Sequence, residues 1–344
     1  MKIIKSSVKI LDNDWSIKGI FRAIERAGRT CYKSVGTRYF RLEKGPENSL
    51  ESNLIKQAQS DPRVVCKQGA DFDPAYYLSI PNKFISDYLN IEQFDEENFE
   101  DSPYYENLTA EDFVNMLIKS GHGAMLEHGT VYLYDTYDIS AIDSWTNSLG
   151  YKYSKNKYSK VITNDHMDIR DIYITTNLRV LIENDWLDDL KYVCEPTEYH
   201  AKRVMIRFIC DRGVSHEIVR HRVMSFAQES TRYCNYSKDK FGQELTFIEP
   251  AWEFPSSNIV NTRERFEVML EEAEANYMEL ITLGFKPQEA RAVLPNALKT
   301  EIVVTGFIDD WKHFFELRCD NAAHPDIRKL ALDLQKQFTE RNLI

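Results

Sequence analysis

Apolar and polar positions along the chain fall into alternating and helical periods that predict a mixed fold. Lys2 to Leu11 reads as a strand, followed by a turn at Asp12-Asn13-Asp14 and a helix from Ile17 to Ala27 that closes at Gly28. Thr109-Ala110-Glu111-Asp112 is a capped helix start, with Phe113, Met116 and Leu117 on one face and Gly121 at its end. Val131 to Tyr134 predicts a strand, Ile172 to Leu181 another, and Asp185 to Tyr192 a helix. Val204-Met205-Ile206-Arg207-Phe208-Ile209-Cys210 reads as a strand, and the spacing from Val214 to Val219 suits a short helix on a core. Leu245 to Ile248 predicts an edge strand stopped by Pro250. A long helix follows from Arg263 to Leu283, ended by Gly284. Its stripe of Phe266, Met269, Leu270, Ala273, Tyr277, Leu280 and Ile281 suits either core or a subunit interface. Helical segments are expected around Pro287 to Leu294, Leu298 to Phe307, Asp309 to Leu317 and Asp326 to Phe338. No internal repeat emerges. The expected class is α+β: a mainly antiparallel twisted sheet flanked by helices, built as a single catalytic domain over residues 1–344 with insertions.

Two stretches stand apart from this pattern, about 36–107 and 135–200. The first is polar, broken by Pro46, Pro62, Pro74, Pro81 and Pro103 and acidic from Glu92 to Asp101, with a short helix expected at Leu50 to Gln59. The second contains Tyr151-Lys152-Tyr153-Ser154-Lys155-Asn156-Lys157-Tyr158-Ser159-Lys160, whose aromatics and lysines could stack bases and hold phosphates but read more simply as a solvated surface insertion. Charge decides against nucleic acid as a general partner: the formal net charge is −11, whereas displacing counterions needs a basic face. The six cysteines, Cys31, Cys66, Cys194, Cys210, Cys234 and Cys319, show no CxxC pair or metal spacing, so reduced thiols in a cytosol are expected and no metal site is. The first residues lack a long apolar core or cleavage site, and no run reaches spanning length. A soluble, cytoplasmic protein is expected, with no membrane partner.

Candidate chemistry concentrates in Arg220-His221-Arg222-Val223-Met224-Ser225-Phe226-Ala227-Gln228-Glu229-Ser230-Thr231-Arg232-Tyr233. Arginine presents a planar fork of donors that keeps its charge, and Ser230 with nearby backbone amides could complete a phosphate cradle. The composition suits an anionic ligand. His122 to His128, between a helix and a strand, is a second candidate. Its His122 and Glu127 at i and i+5 form no recognisable metal pair.

Arg220-His221-Arg222, then seven residues, then Ser230 and Arg232-Tyr233, resembles the signature of the flavin-dependent thymidylate synthases, a family unrelated to the cysteine-using thymidylate synthases. Gly121 to His128, Ala290-Arg291-Ala292-Val293-Leu294-Pro295 and Phe314-Phe315-Glu316-Leu317-Arg318 agree with it in the family's order. The resemblance implies reductive methylation of deoxyuridylate (dUMP) to thymidylate (dTMP). It implies FAD as cofactor, NADPH and methylenetetrahydrofolate as co-substrates, no cysteine nucleophile, and a homotetramer with shared active sites. By the same resemblance, Glu217, Arg220, Gln228, Glu229, Ser230, Arg232, Arg291 and Arg318 form the deoxyuridylate site, with Arg318 catalytic at the uracil edge. His122, Ala124, Arg220, His221, Arg222, Gln228, His313 and His324 line the FAD. Compact members of the family lack most of the two outlying stretches. This chain departs from the family at Ala124, where a hydroxyl is common, at Ala227-Gln228, where Asn-Glu is common, and at Phe307 and His313, where Asn is common. A nucleotide-binding regulator or inactive relative that keeps the arginine pocket is the rival reading, and a nucleic-acid binder using residues 151–160 a more distant one.

Overall fold

The strand at the centre of the fold is one that periodicity reads as a helix. A computed structural model describes residues 1–33, 39–42, 46, 49–60, 65–68, 76–79, 105–106, 110–140, 145–238 and 242–344. The chain divides into two units, one made of Met1–Lys33 and Val114–Ile344, the other of Ser34–Phe113. In order, the first elements are β1 (Lys2–Lys5), β2 (Ser7–Leu11) and α1 (Ile17–Tyr32). The smaller unit contributes β3 (Tyr39–Leu42), α2 (Leu50–Ser60), β4 (Val65–Gln68), β5 (Tyr76–Ser79) and β6 (Tyr105–Glu106), the strands forming an antiparallel sheet of order β4-β5-β3-β6. The acidic run from Glu92 to Asp101 and the cap at Thr109 lie outside the described residues. After α3 (Ala110–Lys119) come α4 (Gly123–Leu126), β7 (Thr130–Asp138), α5 (Leu149–Ser154), β8 (Lys160–His166), β9 (Ile169–Asn177) and α6 (Leu178–Glu183). The chain then runs through β10 (Arg203–Asp211), α7 (Arg212–Ile218), β11 (Ser225–Gln228), β12 (Thr246–Glu249), α8 (Thr262–Thr282), α9 (Pro287–Ala290), β13 (Lys299–Phe307), α10 (Ile308–Arg318) and α11 (Pro325–Glu340).

The main sheet of the larger unit is antiparallel, in the order β11-β13-β10-β2. One face carries Ile10, Val204, Ile206, Phe208, Ile302 and Val304 against Trp311, Phe314, Phe315, Ile327, Leu330, Leu334 and Phe338 of α10 and α11. The other carries Leu11, Met205, Ala227 and Val303 against Ala23 and Ala27 of α1. Strand β13 is therefore covered on both faces and flanked on both edges. That accounts for the correction at Leu298 to Phe307: a fully buried strand shows an apolar run and no alternation, so only its β-branched residues separate it from a buried helix. The α+β class stands, mainly antiparallel and flanked by helices.

Other elements depart from the periodicity for local reasons. The segment Lys2 to Leu11 is two strands, because β1 pairs in parallel with β12 while β2 pairs antiparallel with β10. Helix α1 runs past Gly28 to Tyr32 and ends at Lys33, which adopts φ 43°. Gly28 costs about 1 kcal/mol against alanine, but Glu25 and Arg29 bridge the turn through a 2.7 Å hydrogen bond. The strand expected to Leu181 stops at Asn177, whose side chain accepts from the Val180 amide and starts α6. The helix expected from Asp185 is a 3-10 helix at Leu187–Tyr192. The Tyr/Lys stretch is not solvated throughout. Tyr153 is fully buried with its hydroxyl on Asp189 at 2.9 Å, Lys152 reaches the same carboxylate at 2.6 Å, and Tyr158 stays exposed. The stripe on α8 is split: Leu270 and Tyr277 are buried, while Met269 is exposed.

Candidate functional site

The carboxylate of Asp211 accepts from the Val214 amide at 2.8 Å and starts α7. Val214, Ser215 and Ile218 are buried, which leaves Glu217 half-buried at the rim. The chain then turns through Arg220-His221-Arg222 into β11. From the other direction, Asp310 accepts from the Phe307 amide at 2.9 Å and starts α10. Trp311, Phe314 and Phe315 anchor this helix in the core. Arg318, one turn beyond Phe314 on the same face, emerges in the last turn, where a cation also complements the helix dipole.

Three side chains meet there. The Arg318 guanidinium donates through Nε to His221 Nε2 at 2.9 Å, forms an ion pair with the Glu217 carboxylate, and donates to the Glu217 carbonyl at 3.2 Å. Asp309, Asp310 and Glu316, the acidic side chains of the same helix, are engaged elsewhere: with Lys160, with the start of α10 and with His313. His221 is buried, and its ring meets Phe314 edge-on at 4.9 Å between centroids. Burial first, then the charge of Arg318 and the nearby His313 and Arg220, pulls its pKa down to about 4. The ring is thus neutral at pH 7. Since Nε2 accepts from Arg318, its proton sits on Nδ1.

Further cations lie around this triad. Arg220 and Arg222 are exposed, and their side chains form no hydrogen bond or ion pair with any described residue. The exposed His313 lies 6.4 Å from His221, ring to ring. Arg232 is exposed and stacks on Tyr233, while Arg291 is exposed and reaches Thr231 Oγ1 at 3.4 Å. His122 and Ala124 are exposed at the start of α4, which packs against α1 and β11. Gln228 donates to Ser215 and Thr300 at 2.7 and 3.2 Å, and Ser230 Oγ accepts from the Arg232 amide at 3.3 Å.

Two of the residues named from the sequence have partners within the fold. Glu229 turns inward at 2% exposure, where its carboxylate takes Lys299 at 3.1 Å, Lys33 at 3.4 Å and the Tyr236 hydroxyl at 2.9 Å. Its carboxylate is engaged within the fold, where it supports the segment from beneath. His324 is the N-cap of α11, its Nδ1 accepting from the Asp326 amide at 3.4 Å, and nothing joins it to the triad among the described residues. Burial pushes the thiols of Cys31, Cys194, Cys210 and Cys319 up, away from thiolate.

Periodicity missed a second polar layer. Arg203, 6% exposed at the start of β10, donates to the Glu127 carbonyl and Thr130 Oγ1 at 3.1 Å each and to Ser225 Oγ at 3.4 Å. It thereby fastens the segment after His122 to the strand after Arg222. His128 is fully buried with Nδ1 on Thr305 Oγ1 at 2.8 Å, and burial followed by the charge of Arg203 lowers its pKa to about 3. The only cue in the sequence was a charged residue opening an apolar strand. No group of metal-ligating side chains occurs among the described residues.

Fold and geometry define an α+β protein that holds one arginine in an internal clamp and leaves further arginines open to an anion. Residues 196–341, which contain every one of these arginines, match the family described as thymidylate synthase complementing protein. A flavin-dependent thymidylate synthase of Pyrococcus furiosus is 34% identical over 136 residues, 39% of this chain and 52% of that protein. One of Geobacter sulfurreducens is 36% identical over 123 residues, 36% of this chain and 50% of that protein. The chain thus spans about half the length of the curated relatives it matches. A solved structure of a UMP/dUMP methylase from Streptomyces cacaoi aligns with 40% of this chain and 66% of that one, at 18% identity and a TM-score of 0.34. The C-terminal part of the chain, residues 196–341, is thus similar to the flavin-dependent thymidylate synthases.

Proposed function

We propose that the protein is an FAD-dependent thymidylate synthase that methylates deoxyuridylate, taking carbon from methylenetetrahydrofolate and reducing equivalents from NADPH. The observation that carries this reading is Arg318, held by a neutral histidine and a carboxylate, with Arg220 and Arg222 next to that histidine in sequence and paired with no described residue. On a chain of net charge −11, exposed arginines without partners among the described residues fit phosphate-bearing ligands. The residues present also fit the flavin: Arg222, His122 and His313 are exposed donors that would hold its diphosphate and ring edges. When bound, FAD supplies the reducing equivalents for the transfer. The protein's share is position and charge, with Arg220, Arg232 and Arg291 holding the nucleotide and Arg318 stabilising negative charge on the uracil edge. Ala124, Ala227 and Phe307 favour an inactive nucleotide-binding relative. However, Ala227 is buried in the core, and Phe307 carries Lys160 at 4.5 Å and Arg203 at 5.5 Å over its ring, so both positions have structural uses. The deciding measurement is a visible spectrum after desalting, then assay of deoxyuridylate-dependent thymidylate formation with methylenetetrahydrofolate and NADPH. A colourless protein that forms no thymidylate would rule out the enzyme.

His122→Ala and Arg222→Ala are each expected to raise the flavin dissociation constant about tenfold, the scale of one lost hydrogen bond to a charged group. Both side chains are exposed, so the melting temperature should not move. Flavin occupancy equal to that of the native protein in both variants would remove these residues from the site.

A homotetramer with shared sites is the assembly we propose. Arg220 and Arg318 both act on His221 within one chain, so variants at these two positions should not complement each other. Arg291, tied to Thr231, is the residue to pair with Arg318. Mixing Arg318→Ala with Arg291→Ala subunits should restore activity at about a quarter of sites after random exchange if each site takes one residue from each of two subunits. A fully active monomer would overturn the assembly.

A further inference from the structure

We propose that Glu217 is a specificity-determining residue: an internal anion that holds Arg318 until the anionic edge of a ligand takes its place. The inference rests on the functional reading above for the identity of the ligand, and on geometry alone for the exchange. Glu217 meets Arg318 twice, through its carboxylate and through its own carbonyl at 3.2 Å, and His221 takes the remaining direction at 2.9 Å. These partners are not equivalent. His221 is 6% exposed and wedged against Phe314, whereas the Glu217 side chain is 31% exposed over an Arg318 side chain that is 16% exposed. The histidine is the fixed partner, and the carboxylate is the one on the solvent side, where a ligand would arrive.

The displaced carboxylate has somewhere to go. Arg220 follows three residues later, its amide on the Glu217 carbonyl at 3.3 Å, and its side chain has no ion pair with a described residue. Side chains at i and i+3 on one turn are within reach of each other. Glu217 can pass from Arg318 to Arg220 without leaving a carboxylate unpaired, which keeps the exchange reversible. A neutral pyrimidine edge competes weakly with a carboxylate for a guanidinium. A ring that has lost its N3 proton competes as one anion against another. In the native protein the Glu217 charge therefore opposes binding of ionised rings, and removing it should favour them selectively.

The test is Glu217→Gln, isosteric at a half-buried position, compared with the native protein by two readouts. The first needs no nucleotide: modification of Arg318 by phenylglyoxal, followed by peptide mass spectrometry. The second is the pair of dissociation constants, at mildly alkaline pH, for deoxyuridylate and for 6-aza-deoxyuridylate, whose ring loses its N3 proton more readily. In the variant Arg318 should react about tenfold faster, and the 6-aza nucleotide should bind about tenfold more tightly, the scale of one charge contact in a partly desolvated site. Deoxyuridylate should change by about threefold or less. Unchanged Arg318 reactivity overturns the proposal, as does equal weakening of both nucleotides, which would make Glu217 a ligand contact or a structural prop. A rise in Arg318 reactivity with no binding of either nucleotide to native protein or variant would uphold the internal anion and overturn the thymidylate synthase reading.

Discussion

Arg318→Ala is expected to lower turnover about 100- to 1,000-fold, the scale of removing one preorganised donor from a developing charge. Deoxyuridylate binding should weaken much less, since the phosphate and sugar would be held by other arginines. Arg318→Lys should fall between the native protein and the alanine variant, because lysine keeps the charge but loses the planar fork that meets His221 and Glu217 together. The guanidinium is oriented before any ligand arrives, fixed by the neutral His221 and by the last turn of α10. That preorganisation is what would separate a catalytic effect from a binding one. Reduction of bound flavin by NADPH should proceed at a similar rate in both variants. A variant that binds deoxyuridylate poorly but turns over normally at saturation would reduce Arg318 to a binding residue.

Lys299→Met should cost about 3 kcal/mol of folding stability, because removing one partner of a buried pair strands the other charge. Lys299 is 9% exposed on β13 and bridges Glu229 and Glu301. Lys33 and the Tyr236 hydroxyl remain on Glu229 in the variant, which holds the loss toward the lower end of that mechanism's range. Burial alone would lower the Lys299 pKa, but the carboxylates of Glu229 and Glu301 more than reverse it and raise it. Burial alone would raise the Glu301 pKa, but the Lys299 ammonium more than reverses it and lowers it.

The signs define a pH window. The lowered Glu301 contributes stability that is present above its ordinary value of 4.5 and is lost as pH falls through its folded value. The raised Lys299 contributes stability that is present below its ordinary value of 10.5 and is lost as pH rises through its folded value. The stability gap between native protein and Lys299→Met, measured by denaturant titration, should be greatest between those limits and shrink below pH 4.5. A gap independent of pH would show that Lys299 contributes through packing of its stem and not through its charge. Replacing Glu229 by Gln in the Lys299→Met background should recover part of the loss, since the stranded charge is then gone.

By itself the sequence determined the α+β class, the helices α8, α10 and α11, the strand β10, and the arginine signature. Each of these is local: an apolar stripe of period 3.6, an apolar run of strand length, or a cluster of charges a few residues apart. Tertiary structure alone decided β13, because burial on both faces erases the alternation that marks a strand. The split of Lys2 to Leu11 likewise depends on two partners far away in sequence, Thr246–Glu249 in parallel and Arg203–Asp211 antiparallel. Within the signature, composition could not tell that Glu229 turns inward, because that turn follows from where β13 places Lys299. Nor could it pair Arg318 with Glu217 and His221, which lie about a hundred residues earlier. A charged side chain declares its chemistry in the sequence, but which opposite charge it meets is fixed by the packing of α7 and α10 on the same sheet.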